Sequence, residues 1–218
     1  GGGHDDVQVV GVARQGGGLR GQVDLDEVEA YTAGKRPHFE YGRYGNPTQK
    51  TAEAKLAALD GAEAALLFPT GMNAITSVLQ AMLRSGQHLI IMEDCYRKTT
   101  QFCNIIGKFG IESTFVTSGD FDALEAAIQP NTKVFFFETP ANPTLDVVDL
   151  EHVCGVAKAH GITTVVDNAF ASPALQQPME FGADVVAYSA TKLMDGQGRV
   201  LAGAVCGTQQ WIDEVLLP

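Results

Sequence analysis

Thr163-Thr164-Val165-Val166-Asp167-Asn168 and Ala183-Asp184-Val185-Val186-Ala187-Tyr188-Ser189-Ala190-Thr191-Lys192 are the two stretches whose reading decides the fold. Each is a strand-like, mostly apolar run that gives way to polar or reactive groups. Runs of this length and β-branched content read as strands, and the absence of polar alternation reads as burial on both faces, as in a parallel sheet. The carboxylate of Asp167 and the amine of Lys192 then stand at or just beyond the ends of two neighbouring strands.

The pattern repeats outward from these runs. Thr48 to Leu59 reads as a helix with Leu56 and Leu59 on one face, Ala64 to Phe68 as a strand, and Gly71 to Leu83 as an apolar helix. His88 to Met92 is a buried strand, Arg97 to Phe109 a helix stopped by Gly110, and Glu112 to Val116 a strand. Phe121 to Ile128 is a helix stopped by Pro130, Lys133 to Phe137 a strand, and Leu150 to His160 a helix ended by Gly161. Strands alternating with helices predict an α/β fold, a mainly parallel sheet with helices on both faces. In such sheets ligands bind beyond the carboxyl ends of the strands. Thr70-Gly71-Met72, Asp94-Cys95-Tyr96, Glu138 to Pro143, Asp167-Asn168 and Lys192 all fall there. Residues 1–46 are rich in glycine and charge and read as a partly irregular arm, with a short helix at Leu25 to Tyr31; residues 47–218 read as the large domain.

A formal net charge of −11 argues against a nucleic-acid-binding surface, which needs a basic footprint. No apolar run approaches the roughly 20 residues of a membrane helix. Gly1-Gly2-Gly3-His4-Asp5-Asp6 has neither the basic nor the apolar region of a signal peptide. Cys95, Cys103, Cys154 and Cys206 have no C-x-x-C pairing and read as reduced thiols, and proline blocks glycosylation at Asn46 and Asn142. The expectation is a cytoplasmic protein. The five histidines show no ligand spacing, so no metal site is expected.

Lys192 alone reads as a surface lysine. Paired with an acid at a neighbouring strand end it reads as a site for pyridoxal phosphate. That cofactor needs an amine for its aldehyde and a carboxylate to keep its ring nitrogen protonated. Thr70-Gly71-Met72-Asn73 opens a helix after a strand. It is either an anion site, built from backbone N–H groups and the helix dipole, or an ordinary cap by Thr70. Tyr96, at another strand exit, either stacks on a planar ring or fills space. Gly16-Gly17-Gly18-Leu19-Arg20-Gly21 satisfies a dinucleotide fingerprint after the strand-like Val7 to Ala13, but no helix follows directly and no second strand ends in an acid. Ser189-x-x-Lys192 also matches a serine-acylation motif whose S-D-N and K-T-G companions do not occur.

Eight stretches together carry a resemblance. They are Tyr41-Gly42-Arg43-Tyr44-Gly45-Asn46-Pro47-Thr48, Thr70-Gly71-Met72, Asp94-Cys95-Tyr96, Glu138-Thr139-Pro140-Ala141-Asn142-Pro143, Val166-Asp167-Asn168, Pro173-Ala174-Leu175-Gln176, Phe181-Gly182-Ala183-Asp184 and Ser189-Ala190-Thr191-Lys192. In their order and spacing they resemble the cysteine/methionine-metabolism family of pyridoxal-phosphate enzymes, the cystathionine γ-synthase-like group. The resemblance runs from about residue 25 to the end. It implies the large domain of a fold-type I, aspartate aminotransferase-like enzyme. It also implies roles: Lys192 holds the cofactor and shuttles protons, Asp167 pairs with the ring nitrogen, and Tyr96 stacks on the ring and takes a proton from the substrate amine. Gly71, Met72, Ser189 and Thr191 bind the phosphate, and Asn142 contacts the 3-hydroxyl. Tyr41 and Arg43 reach the phosphate of a neighbouring subunit, so a homodimer is the expected active unit and a homotetramer the expected assembly.

Glu40 to Thr48 and Cys95 to Thr99 look like plant-type cystathionine γ-synthase, whereas Asp195 to Arg199 looks like bacterial O-succinylhomoserine sulfhydrylases. The resemblance therefore implies γ-replacement on an O-activated homoserine, giving cystathionine or homocysteine. The alternatives are a γ-lyase acting on cystathionine or methionine, and a pyridoxal-phosphate-binding fragment without turnover. Family members continue past Pro218 into a small C-terminal domain carrying an arginine for the substrate carboxylate, so the chain as written is expected to be the cofactor-binding half.

Overall fold

A computed structural model describes residues 29–30, 33–35 and 45–217. The chain divides into two units, residues 1–44 and 45–218. In the first, Glu29 and Ala30 are helical, and their carbonyls accept from Ala33 and Lys35. The expectations for Val7 to Ala13, Gly16 to Gly21, Tyr41 and Arg43 lie outside the described residues, as does most of Leu25 to Tyr31.

The second unit begins with α1, Pro47–Asp60. Asn46 caps it by accepting from the N–H groups of Thr48 and Gln49, and Pro47 fills a first-turn position that needs no N–H partner. There follow β1 Ala64–Phe68, α2 Gly71–Met82, β2 His88–Met92, α3 Arg97–Ile106, β3 Glu112–Val116, α4 Phe121–Ala126 and β4 Thr132–Glu138. Next come α5 Leu150–Ala159, β5 Thr163–Asp167, the single turn α6 Ser172–Leu175, β6 Val185–Tyr188, β7 Gly203–Gly207 and the single turn α7 Gln209–Trp211. Gly110 and Gly161 end the segments they were expected to end, at φ +77° and +66°, where a side chain would be strained. Thr139-Pro140 and Asn142-Pro143 are cis.

The seven strands form one sheet in the order β1-β7-β6-β5-β4-β2-β3. All neighbours are parallel except β7, which runs antiparallel to both β1 and β6. Along β6 and β7, alternate residues enter opposite cores. Val185, Ala187 and Val205 join one cluster, and Val186, Tyr188, Ala204 and Cys206 join the other, against Leu56 and Ala57 of α1. This is the two-faced burial that the unbroken apolar runs predicted.

The structure departs from the sequence expectations at several elements. α4 ends at Ala126, well before Pro130, because the chain tightens into a turn in which Ile128 N–H bonds to Glu125 O. β6 starts at Val185. Asp184 instead uses its carboxylate to accept from Thr164 N–H and hydroxyl, and its own N–H to bond Thr164 Oγ1, clasping β5. β7 was not predicted: a five-residue strand with glycine at both ends carries little β-propensity.

Candidate active site

Because β7 is reversed, its amino end lies with the carboxyl ends of the other strands. The register pairs Phe68 with Gly203 and Tyr188 with Ala204. Gly203 therefore sits between the exits of β1 and β6. A Cβ on Gly203 would stand 2.2 Å from Thr70 O and 2.9 Å from Gly71 Cα. A Cβ on Gly71 would stand 2.7 Å from Ser189 Cα and Cβ. Gly71 and Ser189, far apart in sequence, thus meet in a cradle that only glycine permits. Thr191 closes its rim, exchanging hydrogen bonds with the backbone of Ala202 (Ala202 N–H to Thr191 Oγ1, 3.0 Å).

The cap reading of Thr70 holds. Its Oγ1 caps α2 by accepting from Asn73 N–H at 2.9 Å. Among the described residues the N–H groups of Gly71 and Met72 have no acceptor. They remain available to an anion at the positive end of the helix. Met72 is held from behind by the buried Thr99 hydroxyl, 3.8 Å from its sulfur.

Two acids stand side by side at the ends of β4 and β5, where Glu138 is in register with Asp167. Both are buried, at 2% and 4% exposure. Asp167 Oδ1 accepts from Ala169 N–H at 3.1 Å, and Glu138 Oε2 accepts from Tyr96 N–H at 2.5 Å. Burial pushes both carboxyls well above the usual range, and the charge of Asp167 pushes Glu138 further. Cys95, at the exit of β2, is buried beside them, and burial together with the two carboxylates pushes its thiol up.

The pair has a consequence for pH. Its pKa values are raised in the folded chain and ordinary in the unfolded one, so the folded state binds more protons through the interval between them. Stability is full below the ordinary carboxylate range and falls as pH rises toward neutrality. Asp60, pushed up to about 6 by burial, acts in the same direction. Cofactor-free protein should therefore melt at progressively lower temperature from about pH 5 to about pH 8, and Glu138→Gln should flatten much of that fall. An unchanged slope in the variant, measured by thermal denaturation, would remove Glu138 from the pair.

Lys192 follows β6 in a turn held by its own backbone: Lys192 N–H bonds Ser189 O at 3.0 Å, and Gly196 N–H bonds Lys192 O at 2.9 Å. Asp195 closes the turn by accepting from Arg199 N–H at 2.7 Å. The side chain of Lys192 is exposed, just beyond the strand end where its amine was expected. Three residues separate it from the end of the strand, enough to carry it out of the packed layer. β5 and β6 are nonetheless adjacent and parallel, so Asp167 and Lys192 do leave neighbouring strands. Tyr96 is 42% exposed at the start of α3, with its ring free of the core. Asn142 is half-buried in the loop after β4. The geometry thus gathers Gly71, Ser189 and Thr191 at one end of the edge, and Asp167, Glu138 and the backbone of Tyr96 at the other.

Two residues carry no role in the motif reading: Glu138 and Gly203. An acid that ends an all-apolar run, Val134 to Phe137, is the same signal that singled out Asp167, so Glu138 was legible. Gly203 was not, since its need for glycine arises from Thr70 across the sheet. Hollows of about 470 and 400 Å³ lie elsewhere, by His88 and Ser113 at the amino ends of β2 and β3, and between α1 and Ile212. Among the described residues no helix is long and apolar enough to cross a membrane, and no cluster of three or more His, Cys, Asp or Glu residues is placed to hold a metal.

A sequence profile of the Cys/Met metabolism PLP-dependent enzymes matches residues 22–217, and the chain belongs to that family. It is 43% identical over 186 residues to L-methionine gamma-lyase of Pseudomonas putida, covering 85% of this chain and 47% of that protein. It is 42% identical over 191 residues to O-succinylhomoserine sulfhydrylase of Pseudomonas aeruginosa, covering 87% and 47%. The crystal structure of metB from Corynebacterium glutamicum superposes with a TM-score of 0.80 at 38% identity, over 84% of this chain and 48% of that one. The chain spans about half the length of these relatives. Pyridoxal 5′-phosphate is the family's cofactor, and the residues fit it: a glycine-walled cradle with free N–H groups for the phosphate, and a buried acid for the ring nitrogen.

Proposed function

We propose that residues 47–218 form the pyridoxal-phosphate-binding large domain of an enzyme that carries out γ-replacement on an O-activated homoserine, giving cystathionine or homocysteine. The observation that carries the cofactor reading is the buried Asp167, beside Glu138, on the same sheet edge as the Gly71–Ser189 cradle. The choice of replacement rests on sequence likeness, with an O-succinylhomoserine sulfhydrylase 42% identical.

When bound, the cofactor supplies an electron-accepting ring that stabilises negative charge on substrate carbons. The protein's own groups have distinct tasks. Asp167 holds the proton on the ring nitrogen through a charge-assisted bond. Gly71 and Met72 N–H, with Ser189 and Thr191, would hold the phosphate; Asn142 would hold the 3-hydroxyl; and Tyr96 would stack on the ring and accept a proton from the substrate amine. Lys192 Nζ would hold the cofactor and carry protons between substrate carbons. Tyr41 and Arg43 would complete the phosphate site of a second copy in a cytoplasmic homodimer or homotetramer. Arginine suits that task because it binds phosphate bidentately.

A second reading is a γ-lyase acting on methionine or cystathionine, favoured by the 43% identity to L-methionine gamma-lyase. Assay of the full protein with O-succinylhomoserine, with and without a thiol acceptor, separates the two. Replacement predicts a thioether product, with 2-oxobutanoate release suppressed by acceptor. Release of 2-oxobutanoate that persists in its presence would establish the lyase instead.

A further inference from the structure

Directly beyond the row Glu138–Asp167–Ala187 come Thr139 and Asn168, the first residues past β4 and β5, and Tyr188, the last residue of β6. Successive residues of a strand point to opposite faces. Tyr188 accordingly packs on the face opposite Ala187, against α1, and the Asn168 side chain reaches its hydroxyl there. All three residues are essentially inaccessible, at 0 to 1%.

They are joined by a closed set of hydrogen bonds. Tyr188 donates its hydroxyl to Asp60 Oδ1 at the end of α1. The same hydroxyl accepts from Asn168 Nδ2 at 2.9 Å. Asn168 Nδ2 also donates to Gln176 O at 2.8 Å, and Gln176 Nε2 returns a bond to Asn168 Oδ1 at 2.9 Å. Gln176 Nε2 further donates to Thr139 O at 2.9 Å, and Thr139 Oγ1 accepts from Val148 N–H at 3.0 Å. Each strand member of this set is chain neighbour to a site residue: Thr139 to Glu138, Asn168 to Asp167, Tyr188 to Ser189. Asp60, fully buried at a helix end, has no partner on Oδ2 among the described residues. A buried carboxylate so placed costs stability and is retained here to hold one hydroxyl.

We infer that Asp60, Tyr188, Asn168 and Gln176 form a positioning network that sets the separation between the ring-nitrogen end and the phosphate end of the cofactor site. The inference rests on the cofactor reading above. A rigid ligand held at two ends loses affinity when either end moves, so a partner that locks three strand exits in register acts on binding without touching the ligand. At the amino end of β4 a separate set ties β4 to β2 and β3: His88 bonds Thr132 at 2.8 Å and Thr114 at 2.9 Å. That set serves as the comparison.

The test is titration of full-length protein with pyridoxal 5′-phosphate, following affinity and the visible band of the lysine-bound cofactor, with thermal melting alongside. Tyr188→Phe removes one oxygen, and Gln176→Met removes the bridge to Thr139. Each is expected to weaken binding about tenfold or more, the scale of a lost bond to a buried or charged partner, and to shift the band or its pH titration. Asp60→Asn, which keeps an acceptor for the hydroxyl, should stay within about threefold. Thr132→Val, at the far end, should lower the melting temperature but leave affinity within about twofold, as distant sites act independently. If Tyr188→Phe does not fold, Gln176→Met decides. Wild-type affinity and an unchanged band in the variant that decides would overturn the network. So would a loss in Thr132→Val equal to that in Tyr188→Phe. A wild-type protein that binds no cofactor would overturn the cofactor reading itself, a result distinct from either.

Discussion

Lys192→Ala is expected to give a stably folded protein with no visible band of lysine-bound pyridoxal phosphate and with turnover lower by about 10⁴-fold or more, since one residue supplies both the covalent attachment and the mobile proton. The fold should survive because the turn is held by backbone bonds from Lys192 N–H and Gly196 N–H, which alanine retains. Among the described residues the lysine side chain makes no hydrogen bond or ion pair, so its loss should change stability by no more than about 0.5 kcal/mol. Absorption spectra of the cofactor-loaded protein, a melting curve and a turnover assay check the three parts. A band that persists in the variant would put the attachment on a different amine.

Asp167→Asn should separate stability from rate. The amide oxygen can still accept from Ala169 N–H, so the local backbone stays in place. Removing one of two facing buried carboxylates relieves Glu138, whose pKa should move down toward the ordinary range. Cofactor-free protein at neutral pH should therefore be as stable as wild type or more so. Catalysis should suffer, because a neutral amide no longer holds the ring nitrogen protonated and electron withdrawal from the substrate carbon weakens. A single-turnover rate lower by roughly two or more powers of ten, about 3 kcal/mol of barrier, is expected with cofactor binding retained. Lost stability with an unchanged rate would make Asp167 a structural strand end and give the ring nitrogen another partner.

Much of this site was legible because buried parallel strands leave a plain trace. Four strands, β1, β2, β3 and β5, have the bounds that their apolar runs predicted. Asp167 and Glu138 stand out where unbroken apolar runs end in an acid, an expensive residue to bury unless something compensates it. Thr70 ahead of Gly71 announced a capped helix start, which the hydrogen bond to Asn73 bears out. The course of the turn that carries Lys192 was not legible. Sequence places a residue relative to its strand end, but how far the following turn carries it outward depends on bonds such as Arg199 N–H to Asp195.

Sequence by itself determined the α/β class, the strand and helix order, and which residues leave the sheet at its carboxyl edge, because those follow from local periodicity, caps and burial on two faces. Tertiary structure alone decided the reversed β7, the meeting of Gly203 with Thr70 and of Gly71 with Ser189, and the register that sets Glu138 against Asp167. It also decided that Asp60 reaches Tyr188 across 128 residues of chain. These are contacts between segments distant in sequence. Their distances are set by strand pairing and helix packing, and no local propensity encodes them.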